Sequence, residues 1–168
     1  GELGERADVS WRVLPVVYDE AALRLEEAID ELKPEVVIAL GICNEPCYRI
    51  ERVAHNLDDT EVSDNRAEVR RSLRIIEDGP DRYEAPYSHV ELARRLEEKG
   101  LPWRFSDSAG GFLCNHVFYH LCRLAASPRR AVHAATFLHV PPLAEGDELG
   151  GLIEAIGCAV EAALDSVS

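Results

Sequence analysis

The run EVVIAL, residues 35–40, decides the fold, because five apolar residues in succession are typical of a strand that is covered on both faces. Upstream, apolar residues recur at helical spacing between Asp19 and Pro34, which predicts a helix capped by Asp19 and ended before Pro34. Leu14–Tyr18 is another short apolar run, and we expect it to form a buried strand. A strand, a helix and a strand in this order predict a right-handed parallel crossover.

The rest of the chain continues to alternate strand and helix patterns. The further predicted elements are short strands near Arg52–Asn56 and Leu73–Ile76, a capping-box helix from Ser88 to Lys99, a strand at Trp103–Ser106, a helix at Phe112–Ala126, a strand at Ala131–Val140 and a helix at about Glu148–Val167. Such alternation predicts a single α/β domain over residues 1–168, a three-layer α/β/α sandwich with a mostly parallel twisted sheet. In such sheets the reactive groups lie beyond the carboxyl ends of the strands.

The charge, hydropathy and cysteine content of the chain indicate which binding partners and which cellular location to expect. The chain has 31 acidic and 18 basic residues, a net charge of −13, which disfavours binding to nucleic acid and to anionic membranes. No stretch approaches the roughly 18 consecutive apolar residues of a membrane span. Gly1–Arg12 is charged and does not resemble a secretory signal. Since the five cysteines form no regular framework, we expect reduced thiols and a cytoplasmic location.

Cys114 is the first candidate for chemistry. Small residues follow the strand Trp103–Ser106 and lead to Cys114 near the start of the next predicted helix. A helix N-terminus lowers the pKa of a thiol, and its backbone N–H groups can stabilise an oxyanion. The alternative is that Cys114 is a small buried apolar residue, as free cysteines usually are. Spacing alone leaves both interpretations open.

His139 lies at the end of the strand Ala131–Val140, where it can act as a base toward a nearby thiol. The alternative is a histidine that only hydrogen-bonds at the strand end. A carboxylate that orients the imidazole would come from another loop at the same sheet edge. The segment 41–56 offers Glu45 and Glu51, and the residues alone do not choose between them.

Several motifs resemble those of the pyroglutamyl peptidase I family. The segment SAGGFLCNH, residues 108–116, resembles the nucleophile motif of that family, and FLHVP, residues 137–141, resembles its histidine motif. ERVAHN, residues 51–56, is similar to its glutamate motif, and SDN, residues 63–65, is similar to the Pro-Asp-Asn that follows. The match extends from about Val13 to the end of the chain, in the family order of Glu, Cys and His.

This resemblance implies a cysteine exopeptidase that removes an N-terminal pyroglutamyl residue from peptides through a thioester, with no cofactor and no metal. Carried over by motif, Cys114 is the nucleophile, His139 the base and later the acid, and Glu51 the orienting carboxylate.

The resemblance also implies residues that bind the substrate. Phe112 and Leu113 match positions that form the wall of the apolar pocket for the lactam ring, and the backbone at Gly41 matches a turn that contacts the lactam. Members of the family often form homo-oligomers, so the resemblance suggests self-association as well.

Three departures from the family pattern concern specificity. No counterpart of the family's first strand and Gly-Phe-x-Pro-Phe-Gly loop precedes Trp11, so we expect the domain to lack an N-terminal strand and helix. Residues 41–49 read GICNEPCYR, where bacterial members usually have Gly-Gln-Ala-Gly-Gly-Arg. Glu61 stands where many of those members have an arginine.

These departures leave other functions open. A thiol amidase or cyclotransferase that acts on another small amide would keep the chemistry and change the substrate. A catalytically dead pseudo-peptidase would keep the fold as a binding module. A metal site is a third class, since His116 and His120 are spaced four residues apart, as are Cys43 and Cys47. Each pair supplies at most half of a zinc site.

Overall fold

The structure, a computed structural model, describes residues 8–143 and 149–167. Within these residues the helices are α1 (Tyr18–Leu32), α2 (His89–Glu98), α3 (Leu113–Ala125) and α4 (Gly150–Val167). The strands are β1 (Val36–Ile42), β2 (Tyr48–Glu51), β3 (Val53–His55), β4 (Arg82–Glu84), β5 (Trp103–Ser106) and β6 (Ala134–Val140). None of the described helices is long and apolar enough to cross a membrane.

Four of the strands form one mixed sheet in the order β1-β6-β2-β5. β1 pairs parallel with β6, and β2 pairs parallel with β5. The junction between β6 and β2 is antiparallel. The predicted mostly parallel sheet is therefore confirmed, with one antiparallel pairing that the sequence did not indicate. β3 and β4 form a separate antiparallel pair.

Helices cover both faces of this sheet, which confirms the predicted three-layer α/β/α sandwich. α1 and α3 pack on the face that presents Val37 and Ala135. α2 and α4 pack on the opposite face, against Ile50 and Leu138. Successive strand residues point to opposite faces, so each face receives every second side chain. β6 lies between two neighbours and is buried along its whole length.

The predicted strand at Leu14–Tyr18 is wrong, and so is the crossover that depended on it. Residues 11–15 have no regular structure, and α1 begins at Tyr18 with Val17, not Asp19, as its N-cap. The backbone of this segment bonds outside the sheet: the Asn65 amide donates to the Val16 carbonyl at 2.9 Å. Apolar content alone therefore did not indicate where these backbone groups bond.

The predicted strand at Leu73–Ile76 is also wrong. Leu73 forms only an isolated bridge with Asp58. The amides of Ile75 and Ile76 both donate to the side-chain Oδ1 of Asn56 at 2.9 Å, so the chain turns instead of extending.

Element ends differ by a few residues from the predictions. β6 begins at Ala134 instead of Ala131, and α4 begins at Gly150, while Glu148 lies outside the described residues. Ser88 is the N-cap of α2, but its side chain makes no capping hydrogen bond. β3 falls within the predicted strand near Arg52–Asn56.

β2 is the strand of the main sheet that the sequence analysis missed. It alternates the buried apolar residues Tyr48 and Ile50 with the charged residues Arg49 and Glu51. Such alternation is typical of a strand, but four residues inside a turn-rich segment give a weak signal.

Asn115 joins α3 to β3 through a buried side chain. Its Oδ1 accepts a hydrogen bond from the His55 amide at 2.9 Å. Its Nδ2 donates to the carbonyls of His55 and Leu57, each at 2.9 Å. Asn115 is fully buried, so these three bonds satisfy the polar atoms of a side chain that is withdrawn from water.

We expect Asn115→Ala to lower the free energy of unfolding by about 2–4 kcal/mol, because it removes three hydrogen bonds made by a fully buried side chain and leaves a cavity in its place. Urea denaturation at neutral pH measures the change. Asn65→Ala is the matched control, since Asn65 is exposed and a surface change of this kind costs less than about 0.5 kcal/mol. Equal stability of the two variants would contradict the role assigned to Asn115.

Candidate active site

The register of the sheet places three residues in one row. Gly41 on β1 pairs with His139 on β6, and His139 pairs with Arg49 on β2. Partner residues on neighbouring strands point to the same face, so the side chains of His139 and Arg49 are neighbours. In the next row Phe137 pairs with Glu51. Phe137 packs with α3, which puts both rows on the side of the sheet that α3 covers.

A buried hydrogen bond joins His139 to Glu51. His139 Nδ1 donates to Glu51 Oε1 at 2.7 Å. Glu51 is 0% exposed and His139 is 4% exposed. A carboxylate on Nδ1 fixes the tautomer and the orientation of the ring and leaves Nε2 free to exchange a proton. This is how a base is prepared for a nucleophile.

Cys114 is the second residue of α3 and faces the same rows of the sheet. A Cβ at Gly41 would lie 3.0 Å from Cys114 Sγ and 2.8 Å from the ring of Phe137. The ring centroids of Phe137 and His139 are 4.9 Å apart. The structure thus brings Cys114, His139 and Glu51 to one place, and Gly41 permits the close approach of the thiol.

The pKa of Cys114 is raised and not lowered, contrary to the expectation from its place at a helix N-terminus. Burial raises the pKa of the Cys114 thiol, and the negative charge of Glu51 raises it further. The positive charge of Arg49 and the backbone N–H of Cys114 act in the opposite sense and are outweighed. Burial thus opposes ionisation of the thiol, and a base that accepts its proton favours the reaction of Cys114.

The start of α3 offers donors for a negatively charged oxygen. The N-cap residue Phe112 makes no side-chain cap, and the first amides of a helix have no acceptor within the helix. The turn before the helix depends on Gly110, which adopts φ +88°. Backbone N–H groups beside Cys114 are the usual donors of an oxyanion hole.

Two of the predicted substrate-binding residues pack toward α1. The Phe112 ring meets the Tyr18 ring edge to face, with centroids 5.6 Å apart. Leu113 is 8% exposed and belongs to the apolar cluster between α1 and α3. Gly41, the third, lies against Cys114. Contact of these residues with a substrate stays a prediction.

The geometry distinguishes Glu45 from Glu51 as the carboxylate that orients His139, a choice that the residues alone left open. Arg104 binds both oxygens of Glu45 at 2.7 Å, and Arg49 Nη1 donates to Glu45 Oε1 at 3.2 Å. The hydrogen bonds from Arg104 lower the pKa of Glu45 to about 2. Glu45 therefore forms ion pairs with these arginines, whereas Glu51 forms the hydrogen bond with His139.

Arg49 is a residue of this region that sequence reasoning missed. Its Nη2 lies 2.8 Å from Glu51 Oε1, the oxygen that also binds His139. The available signal was its position two residues before Glu51, which places both side chains on one face of a strand. Glu61, which replaces an arginine of the family pattern, is 81% exposed and pairs with Arg71 at 3.0 Å.

Residues of both candidate metal-binding pairs, His116 with His120 and Cys43 with Cys47, contact other groups of the protein. His116 is buried, and its Nδ1 lies 2.9 Å from Asp58 Oδ2. Cys43 Sγ lies 3.5 Å from the carbonyl oxygen of Val140. Residues 8–143 and 149–167 contain no group of three or more His, Cys, Asp or Glu side chains arranged to hold a metal ion.

Comparison with known proteins gives consistent similarities. The family model described as pyroglutamyl peptidase matches residues 1–157. The chain is 35% identical over 144 residues to a pyrrolidone-carboxylate peptidase of Bacillus cereus, covering 85% of this chain and 66% of the relative. It is 34% identical over 144 residues to the pyrrolidone-carboxylate peptidase of Bacillus mycoides, with the same coverage of 85% and 66%. The chain thus spans slightly less than two thirds of the length of these curated relatives.

Solved structures agree with the fold. A mutant pyrrolidone carboxyl peptidase from the hyperthermophile Pyrococcus furiosus superposes with a TM-score of 0.88 at 29% identity, covering 94% of this chain and 82% of that chain. The pyroglutamyl peptidase I from Bacillus amyloliquefaciens superposes with a TM-score of 0.85 at 26% identity, covering 92% and 77% of the two chains.

We expect Gly41→Ala to lower the free energy of unfolding by about 1–3 kcal/mol, because the new methyl group overlaps the Phe137 ring and Cys114 Sγ. Denaturation in urea measures it. Gly150→Ala is the control, since a Cβ there meets nothing within 4 Å. If Gly41→Ala were as stable as that control, a methyl group would fit beside Phe137 and Cys114, and the proposed close contact would be wrong.

We expect alkylation of Cys114 by iodoacetamide to increase with a midpoint above about pH 8.5, the ordinary thiol value, because burial raises the thiol pKa. Peptide mapping by mass spectrometry at a series of pH values measures the rate at Cys114. In urea the midpoint should fall to the ordinary value. Complete labelling of the folded protein well below pH 8.5 would instead indicate a preformed thiolate–imidazolium pair.

Proposed function

The chain belongs to the pyroglutamyl peptidase family, and from this premise we propose that it is a cysteine exopeptidase that removes an N-terminal pyroglutamyl residue from peptides. The main supporting observation is the buried Glu51–His139 hydrogen bond of 2.7 Å on the sheet face that Cys114 approaches. These three residues have the chemistry of nucleophile, base and orienting carboxylate.

In the first half-reaction Cys114 gives its thiol proton to His139 Nε2, and Sγ bonds to the pyroglutamyl carbonyl carbon. Amides at the start of α3 stabilise the oxyanion that forms. The carbon–nitrogen bond then breaks, and His139 returns the proton to the leaving amine. A thioester remains on Cys114. Because burial raises the pKa of Cys114, transfer of its proton to a base assists the attack.

In the second half-reaction water gives a proton to His139 and attacks the thioester carbonyl. The carbon–sulfur bond breaks, and the Cys114 sulfur recovers the proton from His139, so 5-oxoproline leaves and the resting site returns. Glu51 stabilises the imidazolium in both halves, since its carboxylate bonds Nδ1. These steps use only side chains, backbone amides and water.

The substrate class is supported by the family and by the apolar surroundings of the site. We propose that Phe112, Leu113 and the backbone at Gly41 contact the lactam ring. Phe112 is only partly buried, so part of its ring remains available to a ligand. A buried site that pairs the lactam N–H and C=O rejects analogues that leave its own groups unpaired. The family favours this substrate over another small amide or a non-catalytic binding role.

We further propose a cytoplasmic enzyme that self-associates. Support for the compartment comes from the five cysteines, all of which are free thiols suited to a reducing environment. Self-association is supported by the family resemblance alone, and sedimentation velocity tests it.

We expect the chain to release a fluorescent amine from a pyroglutamyl amide, and Cys114→Ala to lower the rate by at least about 10³-fold, because the thioester needs the sulfur. Cys158→Ala is the matched control, since Cys158 is a buried cysteine on α4, behind the opposite face of the sheet. Circular dichroism checks that each variant is folded. A well-folded wild-type protein without turnover, or a Cys114→Ala variant with normal turnover, would contradict the proposed function.

A further inference from the structure

Arg49 lies beside the carboxylate of the candidate active site and is largely withdrawn from water. Arg49 Nη2 is 2.8 Å from Glu51 Oε1, and the Arg49 side chain is 17% exposed. The same carboxylate oxygen accepts the hydrogen bond of His139. A guanidinium is always protonated in proteins, so this is a permanent positive charge next to a buried negative one.

The same guanidinium also binds the segments on either side of the site. Arg49 Nη2 donates to the Ser108 carbonyl at 2.8 Å and to Ser106 Oγ at 3.2 Å. Arg49 Nη1 donates to Glu45 Oε1 at 3.2 Å. Ser108 begins the turn that leads into α3, and Glu45 lies in the turn between β1 and β2. One side chain therefore fixes β2, the turn before the nucleophile and the turn after β1.

We propose that Arg49 is a positioning residue of this active site: its guanidinium offsets the buried charge of Glu51 and fixes the turn that carries Cys114 against the sheet. The proposal rests on the proposed function, because it assigns Arg49 a role in the reaction of Cys114 with an amide.

Charged and titratable groups surround the thiol of Cys114. Glu51 and Arg49 from β2 and Cys43 beyond the end of β1 act on it electrostatically, and His139 from β6 bonds the same Glu51 carboxylate. When the proton moves from Cys114 to His139, thiolate, imidazolium and Glu51 together carry one net negative charge. With Arg49 the four charges sum to zero, and a neutral set of charges is less costly to bury than a net charge.

The direction of the effect on Cys114 agrees with this argument. Burial and Glu51 raise the pKa of the thiol, while the positive charge of Arg49 lowers it. Arg49 therefore favours the thiolate at a site where burial opposes it. Its contact with Ser108 adds a geometric contribution, since that turn sets where α3 begins.

The test compares Arg49→Gln and Arg49→Lys with the control Arg104→Gln. Arg104 binds Glu45 but not Glu51, so the control breaks the exposed ion pair and keeps the contact with the catalytic carboxylate. Three quantities are measured against pH: the rate of Cys114 alkylation by iodoacetamide, and kcat and KM on a pyroglutamyl amide.

We expect Arg49→Gln to slow Cys114 alkylation at pH 8 by about 3–20-fold and to move its midpoint upward, since one pKa unit is about tenfold in thiolate. kcat should fall by a similar factor with little change in KM. Arg49→Lys should keep the midpoint of alkylation, because it keeps the positive charge. It should lower kcat by about 3–10-fold, because a lysine cannot contact both Glu51 and the Ser108 carbonyl as the guanidinium does. Arg104→Gln should match the wild type in both profiles.

A wild-type midpoint in folded Arg49→Gln overturns the proposal, and so does an Arg104→Gln variant with the same shift. If Arg49→Gln does not fold, Arg49→Lys decides, because a wild-type kcat or a shifted midpoint contradicts the proposal. Alkylation does not require turnover, so a wild-type chain without peptidase activity would reject the proposed function while the alkylation profiles still test Arg49.

Discussion

The burial of the Glu51 carboxylate is the constraint on which the rest of the site depends. A carboxylate with no exposure to water needs strong partners in the protein, and it has them in His139 and Arg49. His139 reaches Glu51 because β6 pairs with β2, and Arg49 reaches it because the two residues lie on the same face of β2. The pairing of β2 with β6 thus brings the histidine to a carboxylate that already has an arginine beside it.

Much of the fold could be predicted because its strongest signals are local. β5 was predicted residue for residue, and the apolar runs that form β1 and β6 were located to within a few residues at their ends. β6 is buried throughout, but the prediction that β1 is covered on both faces is wrong, because β1 is the end strand of the described sheet and its residues are partly buried or exposed. Long apolar runs and apolar residues at helical spacing indicate which faces of a strand or helix are buried, and this is the strongest local signal in a sequence. Cys114 and His139 were found as candidates for a related reason, since Cys114 follows β5 in the chain and His139 lies near the end of β6.

What could not be predicted depends on long-range contacts. The run Leu14–Tyr18 is apolar, but its backbone bonds to the segment at Asn65, which no local pattern reveals. β2 was missed because four residues within a turn-rich segment give a weak signal, and two of those four are charged residues that face the candidate active site. The direction of the Cys114 pKa was wrong because spacing shows a helix N-terminus, while burial of the thiol depends on the whole fold.

The side chain of Asn115 has a consequence for the motions of the molecule. It bonds the residue after Cys114 to the backbone of His55 and Leu57, a few positions beyond Glu51. A local opening that separates the nucleophile from the carboxylate must therefore break three hydrogen bonds at once. Segments joined in this way open as one cooperative unit and do not fray independently. Cys114 and Glu51, two of the candidate catalytic residues, are then assembled together or separated together, and a population in which only one of them is in place stays small at equilibrium.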